Sequence, residues 1–401
     1  MDYSLLGDIC YQEEYKRYLE VNKMSEFAIV VTGYNRAKSL KTLLKSLTLL
    51  RMDQNIPLVI SLDNGGTNEV VQICKNFQWK FGDKEIIVHD KRLGLKEHFI
   101  FAGDLTEKYD NVLFLEDDLL VVPTIANYVI QYLQFYSDDD RIAGATCYNP
   151  IFTVSSGRRF YAIEDGYDNF FLQHPYWGNI WSKKKWRLFK EYLKTYKENT
   201  DILPIAARSW KRSFKKVFMQ YLVETHRTMV IPRISLVTNT GVAGDHYKFV
   251  MNNLHPAMLF ANVVQQYRFS TLDQSLSVYD AFEELKVDII KKNNPNLAKY
   301  NFSSNLNGNK KSVSTPYILS YGSSKNTVMS FSGAMKPTEL GVLLNLQGDD
   351  IVLCPTEDFQ PLSSYEQFAF DFSKNVMGDT LPFSVRRMFR NLKNSIRYRL
   401  K

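Results

Sequence analysis

Three acids in a row, Glu116-Asp117-Asp118, follow the apolar run VLFL and precede another, LLVVP. Apolar flanks of this kind place the acids where a buried strand emerges. Adjacent carboxylates there are costly unless a cation compensates them. A divalent ion does this well: Mg²⁺ or Mn²⁺ takes one or two carboxylates and completes its octahedron with phosphate oxygens and water. The plainer alternative is a solvated acidic turn. Asp138-Asp139-Asp140 reads that way, since it follows a helix-like stretch and precedes Arg141.

Three other loops carry candidates. Asp63 closes the run LVISL and opens the turn Asp-Asn-Gly-Gly. Its carboxylate can accept hydrogen bonds from a uracil N–H or from ribose hydroxyls, and paired glycines let the backbone turn close to a ligand. The competing role is local, in the cap region of the next helix, with Thr67 or Asn68 as the cap. Arg36, in GYNRAKSL, can pair with phosphate or lie against a base; the alternative is a surface Arg that opens a helix. HDKRLGLKEH, residues 89–98, sets Arg92, Lys96 and His98 around Gly94. Cations at a helix start oppose the helix dipole, so their placement favours a bound anion such as phosphate.

The elements that must hold these loops are legible from periodicity. FAIVV, IPLVISL, KEIIV and NVLFL read as strands. AKSLKTLLKSLTLL sets Leu40, Leu43, Leu44, Leu47 and Leu50 on a helical period, and TNEVVQICKNF and LKEHFIFAGDLTEKY follow as helices. Alternation of this kind implies an α/β fold: a Rossmann-like, mostly parallel sheet with helices on both faces. Ligands bind such sheets at the carboxyl ends of the strands, where all four loops fall. The expected organisation is an N-terminal helix over residues 1–24, a catalytic α/β domain over 25–275, an accessory region over 276–380, and a basic tail over 381–401. Within the accessory region, NNPNLAKYNFSSNLNGNKK reads as a linker or long loop, and YILSYG, NTVMSFSG and GVLLNL as short β-like runs.

Composition narrows the function classes. A chain of 401 residues with 45% apolar and 14% aromatic content is neither disordered nor collagen-like. Cys10, Cys74, Cys147 and Cys354 lie far apart, which argues against a zinc knuckle or a disulfide framework and fits a reducing compartment. No apolar run approaches the roughly 20 residues of a membrane span, and the N-terminus is too polar for a signal peptide. The expected location is cytoplasmic. The net charge of +7 is matched by seven cations without an acid in residues 381–401, so the rest of the chain is neutral and nucleic acid is not an expected partner. In that tail Val385, Phe389, Leu392 and Ile396 line one helical face, and Arg386, Arg390, Lys393 and Arg397 run beside it. An apolar face flanked by cations suits an anionic membrane surface, here the inner face of the cell membrane. A helix docked on the protein is the alternative.

The ordered set VVTGYNR, VISLDNGG, HDKRLGLKEH and FLEDDLLVVP resembles the GT-A glycosyltransferases, over about residues 25–250. It looks most like N-acetylglucosaminyltransferase I and related bacterial family 2-like enzymes. The resemblance implies that Arg36 and Asp63 hold the nucleoside of a nucleotide-sugar, with Lys96 near the phosphates. It sets Glu116, Asp117 and Asp118 in the place of the DXD motif, with Asp118 ligating Mn²⁺ or Mg²⁺. In HPYWGNIWSKKKW, Trp177 and Gly178 would line the donor sugar and acceptor; core packing is the alternative for Trp181 and Trp186. Asp245 and His246 would fold over the diphosphate, with His246 as a further metal ligand. Inverting relatives carry a catalytic Asp before the Pro-containing strand, but the matching stretch here, SFKKVF, has lysines. Glu224, Asp245 or the pair Glu164/Asp165 are then the candidate bases; a retaining mechanism, which needs no such base, is the alternative.

The implied activity is transfer of a sugar, with a UDP-sugar as the expected donor, to a hydroxyl of a glycan or lipid-linked saccharide in bacterial surface polysaccharide synthesis. A sugar-1-phosphate nucleotidyltransferase and a non-catalytic glycan- or membrane-binding protein are the rival readings.

Overall fold

Runs of five or six residues rich in Val, Ile and Leu are too short for helices and become the central strands. The structure is a computed structural model and describes residues 27–52, 55–154, 159–240 and 265–362. Two units are present. One comprises the chain up to Ile151 with Ala162–Glu283, and the other Phe152–Tyr161 with the chain from Glu284 on. The N-terminal helix expected over residues 1–24 and the basic tail lie outside the described residues.

In the first unit the order is β1 (Ala28–Gly33), α1 (Ala37–Leu47), β2 (Leu58–Leu62), α2 (Asn68–Asn76), β3 (Lys84–Val88), α3 (Gly94–Asp104), α4 (Thr106–Tyr109) and β4 (Asn111–Glu116). It continues with β5 (Leu119–Val121), α5 (Ile125–Tyr136), β6 (Ile142–Ala145), β7 (Asn169–Leu172), β8 (Asn179–Ser182), α6 (Lys183–Thr195), α7 (Ile205–Arg208) and α8 (Phe214–Glu224). β9 (Thr228–Pro232), β10 (Val237–Asn239) and β11 (Val278–Tyr279) complete it. Among the described residues nine strands form one sheet in the order β11-β7-β9-β6-β8-β4-β1-β2-β3. β4, β1, β2 and β3 are mutually parallel, as the strand–helix alternation requires. β8 runs antiparallel to both of its neighbours, β4 and β6. The expected α/β class, with a mostly parallel sheet, is the one observed.

Packing follows the periods. α1 buries Leu40, Leu43, Leu44 and Leu47 and turns Lys38, Lys41 and Lys45 outward; each fully buried Leu contributes about 1.5–3 kcal/mol. An aromatic wall joins sheet to helices. Trp181 of β8 lies 5.6 Å from Phe114 of β4 and 4.7 Å from Trp186 of α6, ring centre to ring centre. Trp186 rests on Gly103 of α3, where a Cβ would fall 2.1 Å from the indole. Trp181 and Trp186 are core residues.

The second unit holds α9 (Val287–Asn293), β12 (Phe302–Asn305), β13 (Tyr317–Ser323), β14 (Met329–Phe331), α10 (Glu339–Leu343), β15 (Ile351–Pro355) and β16 (Gln360–Pro361). Its sheet runs β12-β13-β15-β14, with β16 on β13. Two segments differ from the sequence reading. The Asn-rich stretch contains β12, parallel to β13, because its amides find internal partners: Asn294 donates to the Val342 carbonyl, and Asn305 exchanges bonds with the Lys310 backbone. GVLLNL overlaps α10 and is no strand. Gly341 lets that helix press against Ser332, whose carbonyl oxygen a Cβ would meet at 2.0 Å.

Candidate active site

The carboxyl ends of β1, β2 and β4 lie side by side, since Thr32 pairs with Glu116 and Gly33 with Leu62. Their loops therefore share one edge. Asp63 N–H donates to the Gly33 carbonyl at 2.9 Å, tying the β2 loop to β1. Gly66 passes so close to Tyr34 that a Cβ would sit 2.1 Å from its carbonyl oxygen, which is the close approach this turn requires of glycine.

Arg36 follows β1 and precedes α1. Its guanidinium spans the acidic motif: Nη1 donates to Asp118 Oδ2 at 2.6 Å and Nη2 to Asp117 Oδ1. Both acids are buried, Asp117 to 4% and Asp118 to 9% residual exposure. Burial pushes the Asp117 carboxyl up to about 6, with Asp118 and Glu116 adding to the rise and Arg36 opposing it. Asp118 Oδ1 is buried and has no hydrogen-bond partner among the described residues. Thr240 N–H caps the Asp118 carbonyl at 2.8 Å, so the β10 strand closes over the motif.

Glu116 takes a different partner. Lys215, in the first turn of α8, places Nζ 3.3 Å from Glu116 Oε1 and 5.3 Å from the centre of the Trp177 ring. Trp177 packs edge-on to Tyr148, with ring centres 4.6 Å apart. Gly178 has φ +67°, and a Cβ there would lie 2.9 Å from the Cys147 side chain. This glycine lets the backbone approach Cys147. Because β8 runs against β4, the loop before it returns to the same edge as Glu116, which puts Trp177 beside the acids. In that loop His174 is fully buried and stacks on Tyr176 at 3.9 Å. Burial, reinforced by Lys215, pushes its imidazole down to about 3. Neither of its ring nitrogens has a hydrogen-bond partner among the described residues.

Asp63 is held by the backbone. Oδ1 accepts from Leu93 and Asn64 N–H at 2.7 and 2.9 Å, and Oδ2 from Gly94 N–H at 2.9 Å. Burial alone would raise this carboxyl; the three amides outweigh it and hold it below its usual range. Asp63 thereby anchors the loop that starts α3, while Thr67 caps α2. On that loop Arg92 lies 4.1 Å over the Tyr34 ring and donates to its hydroxyl at 2.5 Å. Lys96 is half-buried, with Glu97 4.0 Å away. His98 turns inward to Ser61, 2.8 Å away, which also bonds His89. Burial pushes the His98 imidazole down to about 4. It belongs to the core and not to the anion-facing set expected around Gly94.

The candidate bases separate. Glu224 ends α8, nine residues and about 13 Å of helix from Lys215. There it accepts from Tyr192 and Gln220, and the structure does not bring it to the acidic motif. Asp165 is buried in a structural network with Arg233, Ser275 and the Leu276 amide. Glu164 is exposed, its carboxylate 3.6 Å from Arg233. Asp245 and His246 lie outside the described residues. Lys215, within SFKKVF, is the residue near the acids that the sequence reading misses; as a cation in a first helical turn without an acid it shares its signal with Lys38 and with Lys183, Lys184 and Lys185.

Among the described residues no three or more His, Cys, Asp or Glu side chains cluster so as to hold a metal. Asp117 and Asp118 offer two carboxylates, one with a buried oxygen that has no partner among the described residues. That donor set fits a hard divalent cation that draws its remaining ligands from phosphate and water.

No protein-family model matches the chain, and no curated protein matches it. Among solved structures it is similar to S. aureus TarS 1-349 in complex with UDP, at 15% identity and TM-score 0.35 over 53% of this chain. The same fragment in complex with UDP-GlcNAc gives 14% identity and TM-score 0.35 over 55%. The mannosyltransferase PcManGT from Pyrobaculum calidifontis, in complex with GDP-Man and Mn²⁺, gives 10% identity and TM-score 0.35 over 56%. The matched region spans 59%, 60% and 61% of those chains in turn.

Proposed function

We propose that the chain is a metal-dependent glycosyltransferase of GT-A type that moves a sugar from a nucleotide-sugar, a UDP-sugar first among candidates, to a hydroxyl of a glycan or lipid-linked saccharide. One observation carries the reading. At the carboxyl edge of the parallel strands β4, β1 and β2, two buried carboxylates, Asp117 and Asp118, stand among the loops of β1 and β2, and one buried oxygen has no partner among the described residues. A Mg²⁺ or Mn²⁺ ion held by Asp117 and Asp118 would act as a Lewis acid on the leaving diphosphate. The chain's own residues supply the rest. Asp63 fixes the loop bearing Arg92 and Lys96, whose cations face an anionic donor. Trp177, with Lys215 over its ring, offers an aromatic face to a sugar. The proton of the acceptor hydroxyl needs a base within hydrogen-bond reach, and Asp245 is our candidate. The membrane-facing acceptor, the bacterial surface-polysaccharide setting and the place at the inner membrane face rest on the basic C-terminal stripe of the sequence. Among the described residues no helix is long and apolar enough to cross a membrane.

The test is product analysis with a panel of UDP- and GDP-sugars and Mn²⁺. Release of nucleoside diphosphate, lost in Asp118→Ala, supports the reading. Pyrophosphate release from a sugar-1-phosphate and a nucleoside triphosphate, with no diphosphate release, rejects it in favour of a nucleotidyltransferase.

A further inference from the structure

We propose that Arg36 is the resident counter-ion of the acidic pair, contending with the divalent cation for Asp117 and Asp118, so that metal and nucleoside diphosphate bind this chain as a strongly coupled pair. The inference rests on the metal-and-nucleotide reading above and deepens it.

The geometry defines the competition. One guanidinium fork takes one oxygen from each carboxylate, Nη1 on Asp118 Oδ2 and Nη2 on Asp117 Oδ1. A cation ligated by both acids must share or displace those contacts. With Arg36 in place a divalent ion would also stand against a positive charge within a few ångströms, inside a buried pocket where screening is weak. The metal alone therefore meets a pair of acids whose charge is already partly offset.

Arg36 is the partner able to leave. The acid side chains are 5% and 12% exposed, and the Arg36 side chain 26%. Its backbone is fixed at the start of α1, where its carbonyl accepts from Leu40 N–H at 3.0 Å. The side chain can swing without disturbing the helix. A diphosphate gives a guanidinium what the two carboxylates give it: two anionic oxygens within reach of its forked N–H donors. Nucleotide binding thus draws Arg36 off the acids and opens them to the metal. By linkage, metal binding then favours the nucleotide by the same factor.

The experiment is a Mn²⁺ titration of the full chain, read by the paramagnetic resonance signal of free Mn²⁺, with and without UDP and, separately, GDP. In the wild type UDP or GDP should tighten Mn²⁺ binding by about tenfold or more, the scale set by charge-assisted hydrogen bonds. Arg36→Gln should raise nucleotide-free Mn²⁺ affinity by about tenfold and shrink the nucleotide-induced gain to match. Arg36→Lys keeps the charge without the fork and should fall between. Unchanged or weakened nucleotide-free Mn²⁺ affinity in whichever of these variants melts like the wild type overturns the proposal. So does a wild type whose Mn²⁺ affinity ignores both nucleotides, a result that needs no variant. These outcomes leave the functional reading standing. Absence of Mn²⁺ binding in every protein and condition rejects that reading, and the proposal with it.

Discussion

Two strand ends on the same sheet edge carry carboxylates, and they are satisfied by different means. After β2, Asp63 spends its oxygens on three backbone amides. After β4, Asp117 and Asp118 are met by a side-chain cation, with one oxygen left over. Backbone amides cannot leave without unfolding the loop they belong to, whereas a guanidinium can. The first arrangement builds architecture and the second builds a place where ions exchange.

The largest expected effect breaks the second arrangement. Asp118→Asn should lower nucleotide-sugar turnover by about 100-fold or more, the scale for removing one centre of transition-state charge stabilisation, while the melting temperature moves little. Steady-state release of nucleoside diphosphate reads it. A wild-type rate would place the charge stabilisation elsewhere. Asp63→Ala should do the reverse and act mainly on stability. It strands amides in a buried place at about 1–3 kcal/mol for each unsatisfied group, so a loss of about 3 kcal/mol is expected in urea unfolding. A loss below 1 kcal/mol would show that water replaces the carboxylate.

A pH test sharpens the Asp63 side. The folded protein holds His98 neutral down to about pH 4, against about 6.5 in an unfolded chain. Between those values the unfolded chain takes up a proton that the native state refuses. Stability should therefore fall as pH drops from about 6.5 towards 4, by about 2 kcal/mol between pH 7 and pH 5 from this group. His174, buried and neutral, pushes in the same direction. His98→Gln should flatten the slope of urea midpoint against pH; an unchanged slope would assign the acid sensitivity to other groups. Gly178→Ala is expected to cost about 1–3 kcal/mol, combining a positive φ with a contact to Cys147, read as a lower melting temperature. The smallest effect belongs to Glu224→Gln, at the far end of α8 from both strand ends. Turnover should stay within about threefold of wild type, since no contact made in the transition state is lost.

The sequence made β1 to β4 legible because each is a short apolar run followed by a helical period. It placed the loops of Arg36, Asp63, Lys96 and Glu116–Asp118 on one edge for the same reason. What it left out is non-local. Asp63 finds two of its three amides about thirty residues downstream, and Lys215 meets Glu116 across 99 positions. No local period encodes either contact. The direction of β8, four residues long, is invisible in NIWS, yet it decides that Trp177 arrives beside the acids. β12 hid in a run of Asn residues because turn-forming composition masks a strand whose amides are paired internally.

One lysine at the margin of the sheet has a wider consequence. Lys84 begins β3, the outermost strand on its side, and its ammonium collects the carbonyl oxygens of Cys74, Lys75 and Phe77 at the close of α2. Among the described residues no strand pairs with the outer side of β3, and a charge at its start disfavours the docking of a stray strand there. Replacing it with an apolar residue would fray a helix end and unfence that margin together, so self-association at high concentration is the property to watch in any variant that touches it.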